Sequence, residues 1–349
     1  MLYIYGQPTV FGNLVKHLLC IIAISAALPS PAQWDNDWIR PGKIWADDQG
    51  RPINAHGGGI LYYQNTYYWF GEVKKGKTTR AAEVTSWEDY RVSAGGVSCY
   101  SSHDLTHWKY LGMALLPTTK DSSGDLDTSR VIERPKVIYN ERTGQFVMWM
   151  HIDKYDYSFA RAGVAVSNRP QGPYHYLGSV RPNGQMSRDM TLFQDDDGSA
   201  FLIYSSEDNQ TMQACLLSDD YLKPTATFGR ILVDANREAP AMFKFNHKYY
   251  LITSLCTGWD PNRALVASAD SLLGPWTMDG DPCTGPDADS TYHAQSTFVI
   301  PVEGKENDFI FMADRWNKTD LQHSTYVWLP LHFEKGSPVI TWKNVWKPE

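Results

Sequence analysis

The sequence predicts an all-β fold, a five-bladed β-propeller, on two observations. First, five apolar, aromatic, strand-like runs each begin with a polar or acidic residue, at intervals of about 50 to 77 residues, and such a period indicates a repeat architecture. Second, each repeat has room for four strands, and five four-stranded sheets around an axis close into a ring with short, protected edges. A β-sandwich, the competing architecture, gives no reason for a polar residue at the head of every unit. We call these five the head residues: His56, Glu133, Asp189, Glu238 and Gln295.

Each unit follows the same plan along the chain. The alternation of apolar and polar residues in runs such as TYYWFGE fits half-buried strands, and turns rich in Asn, Asp and Gly separate the strands. Third strands are predicted at residues 96–102, 163–168, 213–219, 263–270 and 324–331, each followed by a fourth. Two insertions, residues 73–95 and 116–132, are long loops that we expect to wall a pocket on one face.

Length and charge limit the possible functions. The chain has 349 residues, of which 42% are hydrophobic and 20% charged, and this is enough for one large β domain. Its net charge is −7 and it has no basic cluster, which argues against a nucleic-acid partner. Aromatic residues make up 13% of the chain; we expect most to fill the sheets and some to stack on sugar rings.

The N-terminal segment predicts export. Two basic residues precede the apolar run LLCIIAISAAL, and the small-residue region PSPA follows it, so residues 1–32 are interpreted as a signal peptide. That run is too short to span a bilayer comfortably, and no other stretch is apolar enough, so no membrane span is expected. Residues 33–349 are then a single propeller domain, secreted or periplasmic and expected to be a monomer.

Four cysteines remain after the predicted signal peptide. Cys256 and Cys283 flank one predicted hairpin and are the candidate disulfide, which an exported chain can form. Cys99 and Cys215 lie in apolar strand runs, where we expect buried thiols. No spacing among the four resembles a zinc site.

Three head residues are carboxylates, and a propeller would bring them together at one axial pocket. Glycoside hydrolysis needs a carboxylic acid to protonate the leaving oxygen and, with inversion, a base on the opposite face about 6.5–9.5 Å away. The acid must stay protonated near neutral pH, through burial or a neighbouring negative charge. Glu133, Asp189 and Glu238 lie in successive units and could form such a set. Alternatively, each closes the ring through a salt bridge with the arginine next to it in sequence.

Seven motifs resemble glycoside hydrolase family 43, and within it the branch of exo-β-1,3-galactanases and related arabinogalactan-degrading enzymes. In chain order they are NAHGGG, YYWFGE, ERPKVIYN, SRDMTLFQDDDG, REAPAMFK, CTGWDPN and AQSTF. The resemblance covers about residues 37–346 and implies a five-bladed propeller that hydrolyses with inversion.

The resemblance also implies catalytic roles. Glu238 in REAP matches the general acid, and Asp189 in SRDM matches the residue that raises the pKa of that acid and orients it. The Asp base that most of the family has at the head of the first unit is absent here. Gln295 in AQSTF matches the water-activating glutamine proposed for the galactanase branch, and Glu133 in ERPK, a sugar-binding carboxylate of that branch, is the other candidate. Water activation is therefore open between these two residues.

Positions around the terminal sugar follow from the same resemblance, with Trp259 as the expected stacking platform. The substrate-binding set is Glu72, Glu133, Tyr157, Asn209, Thr257 and Trp259. Arg315 and Trp316 could contact substrate or close the ring from the last blade.

No cofactor is expected. Residues 195–198 (DDDG) lack the spacing and the distal Glu of an EF-hand and predict a solvated turn. Some family members hold an axial calcium or water through a histidine, and His56 or His293 could serve that purpose here.

The expected function is hydrolysis of terminal β-1,3-linked galactose from type II arabinogalactan or galactan, a plant-type polysaccharide, by an exported, exo-acting, inverting enzyme. An α-L-arabinofuranosidase that debranches the same polymer is the alternative, because subsite shape alone would decide and the first insertion is not a feature of typical galactanases. A carbohydrate-binding propeller without catalysis is the non-enzymatic alternative, and the intact pair Glu238 and Asp189 argues against it.

Overall fold

The computed structural model describes Gly6 and residues 37–80, 90–118, 124–305 and 308–348. The chain divides into two compact units, residues 1–34 and 35–349, and all the sheets lie in the second. The predicted signal peptide, Gly6 apart, lies outside the described residues, as do residues 81–89 and 119–123 of the two insertions.

Blades 1 and 2 are antiparallel four-stranded sheets. Blade 1 and the hairpin inserted in it contain, in chain order, β1 (His56–Tyr63), β2 (Thr66–Lys74), the hairpin strands β3 (Thr79–Arg80) and β4 (Tyr90–Arg91), β5 (Ala94–Ser102) and β6 (Lys109–Leu115). Blade 2 contains β7 (Val131–Asn140), β8 (Gln145–Asp153), β9 (Arg161–Ser167) and β10 (His175–Val180).

Blades 3 to 5 repeat this plan, and the last gains one short strand, β19, that pairs in parallel with its outer edge. Blade 3 contains β11 (Met190–Gln194), β12 (Ala200–Ser206), β13 (Thr211–Leu217) and β14 (Pro224–Ile231). Blade 4 contains β15 (Arg237–Phe245), β16 (Lys248–Leu255), β17 (Leu265–Ala269) and β18 (Thr277–Gly280). Blade 5 contains β19 (Cys283–Thr284), β20 (Gln295–Pro301), β21 (Phe309–Arg315), β22 (Thr325–Glu334) and β23 (Ser337–Thr341).

The innermost strands contact one another in the cyclic order β1, β7, β11, β15, β20 and back to β1, so the five sheets form a closed ring. The predicted five-bladed propeller is therefore confirmed, and the predicted third strands correspond to β5, β9, β13, β17 and β22 within three residues at each end. Ile39, before the first blade in sequence, and Trp346, after the last, form an antiparallel bridge with backbone N–O distances of 2.7 and 3.1 Å. The helices among the described residues are the short 3₁₀ turns Pro182–Gly184, Ala288–His293 and Leu321–His323, and none of them could cross a membrane.

The hydrophobic core is divided into five clusters, each between two neighbouring blades. Strand β8 shows how one sequence serves two of them. Phe146 and Met148 point into the cluster shared with blade 1, whereas Val147 and Trp149 point into the cluster shared with blade 3. Because successive side chains of a strand face opposite sides of the sheet, a strand buried on both faces is apolar almost throughout. The long apolar runs of the sequence have this origin.

Candidate active site

Four of the five head residues line one pocket, of about 470 Å³, at one end of the propeller axis. The pocket also contains every residue predicted from the resemblance to bind sugar, and Trp316 as well. These are Glu72, Glu133, Tyr157, Asn209, Thr257 and Trp259. The fifth head residue, His56, is instead buried against Tyr326, with ring centroids 4.9 Å apart and its Nδ1 3.5 Å from Asp314 Oδ1.

Backbone bulges place the head residues of three blades. In β1, β7 and β15 the pairing register shifts immediately after the head residue. The residues that follow, Gly57, Arg134 and Ala239, have φ angles of 56°, 55° and 55°, in the left-handed region. A bulge bends the strand and re-aims the neighbouring side chain. For Arg134 and Ala239 the left-handed conformation costs about 1 kcal/mol or more, so the surrounding contacts must hold it in place.

Glu238 is a partly buried carboxyl group to which neutral side chains donate hydrogen bonds. Gln295 Nε2 donates to its Oε1 at 2.9 Å, and Asn209 Nδ2 donates to its Oε2 at 3.3 Å. Burial and then the negative charge of Asp189 raise the pKa of Glu238 to about 8. At neutral pH this residue therefore carries a proton that it can donate.

Asp189 is held as a fixed anion beside Glu238. Its Oδ2 accepts from the backbone N–H of Ala239 at 3.0 Å, at the bulge of blade 4, and lies 2.9 Å from an Arg134 Nη of blade 2. These two contacts tie three successive blades together at the pocket floor. The negative charge of Asp189 is one cause of the raised pKa of Glu238, and its role in the reaction stays a prediction.

Gln295 is engaged at all four of its hydrogen-bonding positions. Its Oε1 accepts from Arg134 at 2.6 Å and from the indole N–H of Trp316 at 2.9 Å. Its Nε2 donates to Glu238 and, at 3.0 Å, to the hydroxyl of Ser254. A primary amide has two acceptor lone pairs and two N–H donors, so a water molecule could bond to this side chain only by displacing one of these partners.

Glu133 has the opposite surroundings from Glu238. Lys74 Nζ lies 3.2 Å from its Oε1, and the Tyr157 hydroxyl donates to its Oε2 at 3.0 Å. Burial alone would raise the pKa of Glu133, but Lys74, His151 and Arg91 more than offset it, so the pKa lies well below its usual range. Glu133 is thus a carboxylate at neutral pH.

A buried His–Asp pair lies behind Glu133. His151 Nδ1 is 3.6 Å from Glu133 Oε2, and His151 Nε2 is 2.8 Å from Asp153 Oδ2. The other oxygen of Asp153 accepts from three backbone N–H groups at 2.8–2.9 Å. Burial lowers the pKa of His151, but Asp153 and Glu133 outweigh it and raise the pKa to about 9. His151 therefore faces Glu133 as an imidazolium at neutral pH.

Glu72 shares its cation with Glu133. Lys74 Nζ is 3.0 Å from Glu72 Oε2, yet burial raises the pKa of Glu72 to about 8, with Lys74 lowering it and Glu133 adding to the rise. Of the two carboxyl groups beside Lys74, one is therefore neutral and the other ionised near pH 7.

Two tryptophans form the aromatic part of the pocket wall. Trp259 and Trp316 lie edge to face, with ring centroids 5.0 Å apart at 72°, and Lys74 Nζ lies 5.2 Å from the Trp259 centroid. The hydroxyl of Thr257 donates to the Asp260 carbonyl at 2.6 Å. Arg315 is directed away from this wall, because it donates to the Tyr292 carbonyl at 2.6 Å within blade 5.

Sequence reasoning missed the residues that set the charge of Glu133, directly or through His151: Lys74, Arg91, His151 and Asp153. The only signal for the last two is the interruption of the apolar run of β8 by two polar residues at alternate positions, in MWMHID. His151 pairs directly with Glu133 in the register of β7 and β8. A polar pair at the end of a buried strand, opposite a head residue, could have indicated them.

The predicted disulfide is wrong, because Cys256 and Cys283 are both free thiols. Cys283 lies in β19 and packs in the apolar core between blades 4 and 5. Cys256, by contrast, follows β16 at the pocket, where its Sγ contacts the Asn236 carbonyl at 3.4 Å. The two residues flank blade 4 in sequence, but one belongs to a core and the other to the pocket.

Residues that could hold a metal ion are already paired with cationic side chains. Ligand atoms of Glu133, His151 and Asp189 lie within 4.8 Å of one another, but Lys74 contacts Glu133 and Arg134 contacts Asp189. This donor set therefore does not fit a metal ion.

The two histidines considered for an axial ion lie in different places. Near His56, the buried Lys136 side chain donates to the Gly57 carbonyl at 2.8 Å, and burial and then the charge of Arg134 lower the pKa of Lys136 to about 7. His293 is exposed, 3.6 Å from Asp287. The DDDG segment forms a hairpin turn, as predicted, in which Gly198 N donates to the Asp195 carbonyl at 2.9 Å.

The fold and the site together define a glycoside hydrolase. A propeller brings a carboxyl group that is neutral at pH 7, a fixed carboxylate beside it and a further ionised carboxylate into one pocket with an aromatic wall, which is the set that glycosidic hydrolysis uses. The chain belongs to the glycosyl hydrolases family 43, whose model matches residues 55–327. The predicted family and the predicted enzyme class are thus confirmed.

Solved structures of this family are similar over most of the chain. A β-1,3-galactosidase determined with galactodeoxynojirimycin is 42% identical, over 88% of this chain and 100% of that one, with a TM-score of 0.81. An exo-β-1,3-galactanase from Phanerochaete chrysosporium is 38% identical over 90% of this chain and 69% of that one, with a TM-score of 0.80. One from Clostridium thermocellum is 36% identical over 88% and 66%, with a TM-score of 0.77.

A curated relative is more distant. A xylan 1,3-β-xylosidase from Vibrio sp. is 23% identical in an alignment 237 residues long that covers 59% of this chain. The matched part spans 41% of the length of that xylosidase.

Proposed function

We propose that this glycoside hydrolase is an inverting exo-enzyme that removes terminal β-1,3-linked galactose from the galactan of type II arabinogalactan. The observation that carries the proposal is the neutral carboxyl group of Glu238 beside the fixed carboxylate of Asp189. The specificity is supported by the similar proteins, at 36–42% identity, which are a β-1,3-galactosidase and exo-β-1,3-galactanases.

In the proposed reaction Glu238 donates its proton to the glycosidic oxygen as the bond from that oxygen to the anomeric carbon breaks. The carboxylate that forms on Glu238 keeps its hydrogen bonds from Gln295 and Asn209. These donors stabilise the new charge, since hydrogen bonds to an ionised acceptor are the stronger kind. Asp189 supports this step, because its negative charge raises the pKa of Glu238. Glu238 therefore carries a proton at neutral pH and takes one up again after each reaction.

Water attacks the anomeric carbon from the opposite face, and we assign its activation to Glu133 rather than to Gln295. Glu133 is ionised and can accept the proton of the water, whereas Gln295 has all four hydrogen-bonding positions engaged. Gln295 then positions Glu238. The proton accepted by Glu133 passes to solvent as the product leaves.

Product analysis tests this proposal. The protein is incubated with linear β-1,3-galactan and, separately, with intact arabinogalactan. Galactose released from the linear chain, first as the α-anomer by proton NMR, is the expected result for inversion of a β-linkage. First-formed β-galactose would contradict inversion. Arabinose alone, from the intact polymer, would make the enzyme an α-L-arabinofuranosidase and refute the galactanase assignment.

Export is part of the proposal. We propose that residues 1–32 direct the chain out of the cytoplasm and are removed, so that a monomeric enzyme meets its polysaccharide outside the cytoplasm. The composition of this segment supports it: an apolar run after two basic residues and before a small-residue region. N-terminal sequencing of the exported protein should find a start near residue 33, and a retained N-terminus would contradict the signal peptide.

A further inference from the structure

The first insertion contributes a two-stranded hairpin sheet outside the blade sheets, and its residue Arg91 lines the pocket. Its strands β3 and β4 pair only with each other among the described residues. On one side the hydroxyl of Thr78 accepts from the backbone N–H of Leu321 at 2.9 Å, which ties the hairpin to blade 5. On the other side the indole N–H of Trp259 donates to the Tyr90 carbonyl at 3.0 Å, which ties it to blade 4.

Arg91, at the end of this hairpin, lies between two aromatic residues of different blades. Its side chain is buried, with the residue 3% exposed. The guanidinium carbon is 4.4 Å from the ring centroid of Tyr157 and 5.6 Å from that of Trp259. An arginine within about 6 Å of an aromatic ring is attracted to its face, more strongly when water is excluded. All three residues line the same pocket.

Arg91 also interacts electrostatically with Glu133, the carboxylate to which Tyr157 donates a hydrogen bond. The Tyr157 hydroxyl donates to Glu133 Oε2 at 3.0 Å, and the positive charge of Arg91 is one of the causes that hold the pKa of Glu133 low. A single residue of the insertion thus contacts two rings of the sugar pocket and interacts electrostatically with its ionised carboxylate.

We propose that Arg91 is a positioning residue that fixes Tyr157 and Trp259 as the facing walls of the terminal-sugar subsite, and that the hairpin insertion thereby determines how tightly that sugar binds. The inference rests on the proposed function, because it takes the pocket to be a sugar subsite. It does not depend on which sugar is bound. Neither the head residues nor the motifs of the family resemblance include Arg91.

Steady-state kinetics of three variants test the proposal, on the substrate that product analysis of the wild type identifies. Arg91→Ala removes both ring contacts and the charge, so we expect KM to rise about tenfold and the acidic limb of the pH profile of kcat/KM to move to higher pH. Arg91→Lys keeps the charge without the planar group that stacks, so we expect the raised KM with the acidic limb unmoved. Arg80→Ala is the matched control, because Arg80 lies exposed in the same hairpin.

The outcomes separate this inference from the proposed function. Wild-type KM and an unmoved acidic limb in a folded Arg91→Ala protein would overturn it, and so would equal effects of the Arg91→Ala and Arg80→Ala changes. If Arg91→Ala does not fold, the Arg91→Lys variant decides, since a wild-type KM there would exclude stacking as the cause. Wild-type release of arabinose alone would refute the galactanase assignment and leave the Arg91 test intact on an arabinofuranoside.

Discussion

Replacing Glu238 with glutamine should stabilise the protein while removing most of its activity. The pKa of this carboxyl is raised from 4.5 to about 8 in the folded protein by burial and by Asp189. Between these two pH values the folded state holds a proton that the unfolded chain has lost. Because the folded state binds more protons, the free energy of unfolding falls as pH rises through this window. Below about pH 4 the group is protonated in both states and has no effect.

The size of the effect follows from the same two pKa values. Each pH unit above the unfolded pKa costs about 1.4 kcal/mol until the folded pKa is reached. Relative to a group that does not titrate, Glu238 thus destabilises the fold by about 3 kcal/mol at pH 7 and about 1 kcal/mol at pH 5. A glutamine keeps the contact with Gln295. Its amide N–H₂ can bond to the Asn209 Oδ1, which has no partner among the described residues.

Urea unfolding at pH 5 and pH 7 measures this prediction. We expect the free energy of unfolding of Glu238→Gln to exceed that of the wild type at both pH values, and by about 2 kcal/mol more at pH 7 than at pH 5. The control, Glu141→Gln on an exposed turn, should differ from the wild type by the same amount at both pH values. A gain of equal size at both pH values would refute the reasoning, because it would show that the proton is not the cause. The same variant should lose about 10²- to 10⁴-fold in kcat on galactan, as expected for a missing general acid.

Three further predictions concern the frame of the site. Gly71→Ala should lower the free energy of unfolding by several kcal/mol, because a Cβ there would lie 2.1 Å from the backbone carbonyl carbon of Ala55, which cannot move aside. Urea unfolding measures this loss, and wild-type stability would contradict the prediction. Arg134→Met should cost about 3 kcal/mol by the same assay, because it removes a buried guanidinium and leaves the partly buried Asp189 without its cation. A loss below about 1 kcal/mol would count against that pairing. Dithiothreitol should leave the melting temperature unchanged, since the four described cysteines are free, and a drop would reinstate a disulfide.

The repeat and the head residues could be predicted from sequence because the fold demands them locally. A strand buried on both faces is apolar along most of its length, so a polar residue near its start stands out, as Glu133 does near the start of β7. The five heads then follow from the repeat alone. The propeller geometry, which is closed by contact of β20 with β1, turns this regularity in sequence into a shared axis.

The remainder of the site could not be predicted, because it depends on contacts between elements far apart in sequence. Lys74 is an ordinary lysine at the end of β2 until the ring places it between Glu72 and Glu133. Arg91 lies in an insertion without a repeat to compare it with. The disulfide prediction failed for the same reason: closeness in sequence around a hairpin does not show that Cys256 faces a pocket and Cys283 a core.

The carboxyl groups of the site differ in protonation state because their neighbours differ. Near Asp189, the cation Arg134 and a backbone N–H contact that carboxylate, whereas the amides of Gln295 and Asn209, which carry no charge, donate to Glu238. Pairs of titratable groups whose surroundings move their pKa values apart are how one site performs acid and base chemistry at one pH. The partners come from different blades, so this separation exists only when the ring is closed. A five-bladed ring is therefore the means by which residues about 50 positions apart obtain opposite protonation states in one pocket.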